Sequence, residues 1–145
     1  TGYFTFPVAQ RVSRGKVFSV DIQPEMLARI ARRKAQENVA NVETVLGEAD
    51  DPKLPDNAID LAFIVDAYHE FSFPREMGER LKESLKPGGQ LVLVEYRAED
   101  PRVPIKPLHK MSERQAVEEM RAIGLSHLRT EDFLPQQHFM VFEKP

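Results

Sequence analysis

Cysteine is absent from this 145-residue chain, and so is tryptophan. Without thiols there is no disulfide, no thiolate nucleophile and no thiolate-bound zinc, and no metal site is expected from the sequence. Charge of one sign is scarce as well. Twenty Lys and Arg against 23 Asp and Glu leave a net charge of −3, whereas a general nucleic-acid binder carries a clustered basic excess to neutralise phosphates. No nucleic-acid partner is therefore expected. No apolar run is long enough to span a bilayer, so neither is a membrane partner, and a cytoplasmic protein is the expectation. What the chain does hold is 41% hydrophobic residues, enough for one core, and residues 1–145 are expected to form a single domain.

Two periodicities alternate along it. Val17 to Val20, Val42 to Leu46, Ile59 to Val65 and Leu91 to Val94 are short, nearly continuous apolar runs, the pattern of strands buried on both faces of a parallel sheet. Helical stretches lie between them. Pro24 stands where a first turn would begin, and Leu27, Ile30, Ala31 and Ala35 then recur at three-to-four spacing. Pro74 likewise opens a helix carrying Met77, Leu81 and Leu85, stopped by Pro87 and two glycines. Ser112 followed three residues later by Gln115 is a capping-box signature, with Gly124 as the stop. Strand and helix in alternation predict an α/β fold, a doubly wound and mostly parallel sheet. Leu125 to Thr130 and His138 to Phe142 have no helix between them and should form an antiparallel pair at one edge.

Open α/β sheets bind ligands at the carboxyl ends of their strands. The acids at those ends are therefore the residues to weigh. Asp21 ends the first strand and can accept hydrogen bonds from two ribose hydroxyls, or else cap the helix that follows. Glu48, Ala49, Asp50 and Asp51 follow the second, where a carboxylate can take the amine of an adenine, or simply form a solvated acidic loop. Asp66 ends the third, and Ala67, Tyr68, His69 and Glu70 come next.

Taken in order, these acids, the stretch Asp56 to Asp60 leading into a strand, and the turn Leu85, Lys86, Pro87, Gly88, Gly89 resemble the class I methyltransferases that use S-adenosyl-L-methionine. Thr1, Gly2, Tyr3, Phe4 and Thr5 look like the end of that family's glycine-rich first motif. The resemblance implies a Rossmann-like fold whose first strand and leading glycines are missing here. It also implies cofactor contacts from Thr1, Gly2 and Tyr3, a ribose held by Asp21 beside Ile22, and an adenine met by Glu48 and Ala49, with Asp50 competing for that contact. Asp66 and Tyr68 would line the methionine and sulfonium end. The run from Glu95 through Met111 resembles, more narrowly, a bacterial subgroup of small methyltransferases. Quinone-biosynthesis and arsenite methyltransferases share the scaffold, but an arsenite enzyme needs the thiolates this chain has not got.

The reaction so implied is in-line displacement onto a small-molecule acceptor, with proximity and exclusion of water as the main contributions of the protein. His69, following a strand end, is the catalytic candidate as a base, against the plainer reading of a surface or capping histidine. Arg97, Lys106 and His109 lie in a proline-studded connection where an anionic acceptor could bind, or where acidic neighbours balance the charge in an ordinary loop. Two rivals stand beside methyl transfer: a nicotinamide-dependent oxidoreductase of Rossmann type, and a non-catalytic domain that keeps the fold as a binding surface. A central strand missing before Thr1 would leave ladder amides unpaired and an apolar seam open to self-association. This chain by itself is accordingly expected to bind cofactor weakly and to be inactive.

Overall fold

The computed structural model describes residues 2–145, so the Thr1 part of the expected cofactor loop lies outside the described residues. The chain divides into two compact units, Thr1–Leu54 and Pro55–Pro145.

The first unit runs α1 (Thr5–Arg11), β1 (Val17–Asp21), α2 (Pro24–Gln36) and β2 (Val42–Leu46). Helix α1 follows the glycine-containing segment directly, and nothing in the sequence reading anticipated it. Its Phe6 and Ala9 are almost fully buried with Val17, Ile30 and Val42, one apolar residue or two from each of the four elements. Pro24 sits in the first turn of α2, where its missing N–H is no loss. Strands β1 and β2 are parallel, with Asp21 opposite Leu46, so both chains leave the ladder at the same end.

In the second unit, β3 (Ile59–Val65) leads through a 3-10 turn (Tyr68–Glu70) into α3 (Pro74–Ser84) and β4 (Leu85–Tyr96). A second 3-10 turn (Pro107–His109), α4 (Glu113–Ala122), β5 (Ser126–Glu131) and β6 (Gln137–Glu143) complete it. Its sheet has the order β3-β4-β6-β5. The first pair is parallel, and β6 enters antiparallel between β4 and β5. The expected antiparallel pair at the edge is therefore present. Ser112 caps α4 by accepting the Gln115 N–H at 3.1 Å. Only half of the capping box forms, because the Gln115 amide turns to Glu119 instead.

Two expectations about strands need correction. Strand β4 does not wait for Leu91 but begins at Leu85, directly at the end of α3, and takes the Pro-Gly-Gly segment with it. The reason is a second partner: Gly88 N–H donates to the Lys144 carbonyl and Lys144 N–H to that of Gly89, so the turn is held by the chain's last residues. Nor are all the apolar strands buried on both faces. Leu91 to Val94 are, but Leu61 and Leu46 are more than half exposed. Among the described residues, β1 pairs only with β2, and β3 only with β4, so each has an open edge.

Candidate active site

In the first unit, Asp21 makes the helix-capping contact and still keeps an oxygen free. One carboxylate oxygen accepts the Gln23 N–H at 2.9 Å, fixing the turn into α2, while the other has no partner among the described residues. The Asp21 carbonyl accepts the Gly47 N–H at 3.0 Å and ties the two strand ends together. Gly2 has φ +75°, and a Cβ there would lie 2.8 Å from the Phe6 ring. Only glycine fits that position. Tyr3 and Ile22 are exposed, so neither ring nor side chain is occupied in the core of its own unit.

Beyond β2 the chain makes a tight acidic turn. Glu48 N–H donates to the Asp51 carbonyl at 2.7 Å, and the Glu48 and Asp51 carboxylates both lie 3.1 Å from Lys53 Nζ. Those two acids, Asp51 first, raise the Lys53 ammonium above its ordinary value. The Glu48 carboxylate is thereby engaged, whereas Asp50 is exposed with no partner among the described residues. Between the two competing adenine candidates, the free acceptor is Asp50. Ala49, also exposed, lies between them.

In the second unit the strand ends hold a denser set of bonds. Asp66 has φ +49°, a left-handed conformation uncommon outside glycine and often found at functional sites. Its N–H donates to the Val94 carbonyl at 2.9 Å, and both its carboxylate oxygens accept from the Gln137 amide at 2.7 and 2.9 Å. Tyr68 is buried, not lining an open cleft: its ring packs 5.4 Å from that of Phe71 and its hydroxyl donates to Glu119 at 2.8 Å. Burial, and then the Glu119 carboxylate, push the phenol well above its ordinary value.

His69 is held on both ring nitrogens. Its Nδ1 lies 2.6 Å from Glu95 Oε2, and Glu95, with no exposed surface, also accepts the Tyr68 N–H at 2.8 Å through Oε1. A carboxylate partner assigns the ring hydrogen to Nδ1, which leaves Nε2 with its lone pair. That nitrogen sits 3.1 Å from Nδ1 of His109. The histidines, forty positions apart, are thus neighbours. Glu95 ends the buried run of β4, the same strand-end signal that singled out Asp21 and Asp66.

The basic connection is mostly spoken for. Arg97 donates to the carbonyls of Gln137 and Leu134 and meets Asp132 at 3.3 Å, so it clamps the β5–β6 connection and is not a free anion site. Arg102 holds Asp100 through two donors, which lowers that carboxyl to about 2. Lys106 is exposed with no partner among the described residues.

Residues 1–89 match the sequence model of the methyltransferase domain family. The chain is 34% identical over 97 residues to the demethylmenaquinone methyltransferase of Thermus thermophilus, an alignment covering 66% of this chain and 43% of that protein. It thus spans less than half the length of that curated relative. Among solved structures, a SAM dependent methyltransferase from Aquifex aeolicus superimposes with a TM-score of 0.91 over 99% of this chain and 77% of its own, at 24% identity. The [4+2]-cyclase SpnF does so with a TM-score of 0.83 over 99% of this chain and 71% of its own, at 19% identity. At such identities the likeness establishes the fold, which is the Rossmann-like α/β fold expected from the sequence.

Proposed function

This chain belongs to the methyltransferase domain family, and from that premise we propose that it binds S-adenosyl-L-methionine and directs methyl transfer to a small-molecule acceptor. The observation that carries the reading is the family match over residues 1–89, a segment that contains Gly2, Asp21, the acids after β2, Asp66 and His69. The residues of the first unit suit such a cofactor. A backbone position where no side chain fits allows close approach, and a strand-end carboxylate keeps one oxygen for a pair of hydroxyls.

When bound, the cofactor supplies a methyl group on a positively charged sulfur. The chain's own part is to hold and to orient. Within the first unit, Asp21 takes the ribose hydroxyls and Asp50 or Glu48 the adenine amine, with Ala49 beside it. Within the second, Gln137 holds both carboxylate oxygens of Asp66, and the backbone N–H of Tyr68 is held by Glu95. His69 is the residue through which an acceptor hydroxyl would be activated, because Glu95 holds the ring hydrogen on Nδ1 and leaves Nε2 with its lone pair. Arg97, on the contacts above, is a positioning residue, while Lys106 stays available to an anionic acceptor. Demethylmenaquinone is the first acceptor to try, on the strength of the 34% identical relative.

Binding is the decisive readout. Titration calorimetry should show weak but saturable uptake of S-adenosylhomocysteine, weakened further by about tenfold in Asp21→Ala, where one charge-assisted contact to the ribose is lost. Reduced nicotinamide dinucleotide should give no heat of binding. Preference for the nicotinamide would replace this reading with the oxidoreductase one, and indifference to both ligands would favour a non-catalytic domain.

A further inference from the structure

Three donor atoms from two separate 3-10 turns meet at one point of the second unit. Nε2 of His69 lies 3.1 Å from Nδ1 of His109, and Oε1 of Glu70 lies 3.9 Å from the first and 3.8 Å from the second. A triangle with these sides has a circumscribed radius of about 2.1 Å, within the range of zinc bonds to imidazole nitrogen and carboxylate oxygen. We propose that His69, Glu70 and His109 form a binding site for a divalent transition-metal cation, with zinc as its type.

The surroundings favour a cation over a casual cluster. Metal-ligating histidines commonly donate their second ring N–H to a carboxylate, which fixes the tautomer and makes the ligating nitrogen more basic. Glu95 does this for His69 from a fully buried position, at 2.6 Å, and the same carboxylate is itself held by the Tyr68 N–H. Two imidazoles and one carboxylate suit zinc and its first-row neighbours better than magnesium or calcium, which prefer all-oxygen shells. The site is also reachable. The His69 side chain is 9% exposed, but those of His109 and Glu70 are 47% and 64% exposed, so an ion can enter from solvent and keep a fourth position open.

A hydrogen bond from His109 Nδ1–H to His69 Nε2 accounts for the 3.1 Å side of the triangle alone. It gives no reason for Glu70 to stand nearly equidistant from both nitrogens. Sequence spacing had offered no hint of the site, because two ligands are adjacent and the third comes forty positions later. If methyl transfer is the reaction, His69 Nε2 acts as a ligand and not as the base whenever the cation is bound, and an acceptor that reaches the cation through oxygen, such as an enol or phenol, would lose its proton to solvent more readily. That extension rests on the transfer reading, whereas binding of the cation does not.

The test uses the chain freed of metal by a chelator and titrated with Zn²⁺ by calorimetry, then with Co²⁺ by visible absorption. One equivalent should bind, with Co²⁺ giving ligand-field bands. His109→Ala and Glu70→Gln should each weaken binding by about tenfold or more, and Glu95→Gln by about 10- to 100-fold, while His127→Ala should leave it unchanged. His109 is half exposed, so its replacement does not threaten folding. Absence of a saturable site in the parent chain, equal affinity in His109→Ala, or equal loss in His127→Ala would each overturn the proposal. None of these outcomes depends on whether S-adenosylhomocysteine binds.

Discussion

Tyr68 shows how one side chain links the site to the core. Its backbone N–H is held by Glu95, its ring packs on Phe71 and its hydroxyl donates to Glu119. Tyr68→Phe should remove only the last of these, leaving the ring packing in place, and lower stability at neutral pH by about 1 to 2 kcal/mol in urea unfolding. The pH dependence has a definite sign. The folded phenol titrates above its ordinary value of 10.0, so its stabilising effect is complete below that pH and fades as pH rises toward the folded value. Stability of the parent chain should therefore fall more steeply above pH 10 than that of Tyr68→Phe. Parallel curves would show that the phenol is not shielded in the way the structure describes. The burial of Tyr68 was not legible in the sequence, because a tyrosine after a strand end reads the same whether its ring turns inward or outward.

Among the strands, β4 carries the most structure in a single stretch. It takes the parallel β3 on one side and the antiparallel β6 on the other, and its buried run ends at Glu95. Where it opens, the two adjacent glycines do different things. Gly88 has φ +74° with nothing within 4 Å of an added Cβ, whereas a Cβ on Gly89 would meet backbone carbonyl oxygens of Lys86 and Ile59 at 2.8 and 2.9 Å. Backbone atoms cannot step aside as the end of a flexible side chain can. Gly88→Ala should cost about 1 to 2 kcal/mol from left-handed strain alone, and Gly89→Ala more, about 2 to 3 kcal/mol, from overpacking. Chemical denaturation of both variants decides this, and the reverse order would contradict the geometry. The two glycines are visible in the sequence, as is the helix they follow. That they join a strand bound by Lys144 is not, since the partner comes more than fifty positions later in the chain.

At the scale of the whole fold, the open edges that β1 and β3 show among the described residues are the main liability. Edge strands with exposed apolar side chains are templates for pairing with another chain. On β3, Leu61 is 53% exposed and Phe63 37%. Sedimentation velocity should reveal concentration-dependent self-association, and Leu61→Lys should weaken it by placing a charge where a second copy would pair; a single unchanging species in the parent chain would refute this. Strand-helix alternation was enough to predict the α/β fold, since apolar periodicity and turn chemistry are local properties that survive any change of surroundings, and the family came from the resemblance carried by the strand-end acids and the Leu85 to Gly89 turn. Which of those acids stay free was decided only by tertiary structure. Lys53 engages Glu48, Gln137 takes both oxygens of Asp66, and Glu95 fixes His69 and so brings its Nε2 beside His109. Each of those bonds except the first spans more than twenty positions, and a pairing that the chain makes only by folding back on itself leaves no mark on the residues that precede it.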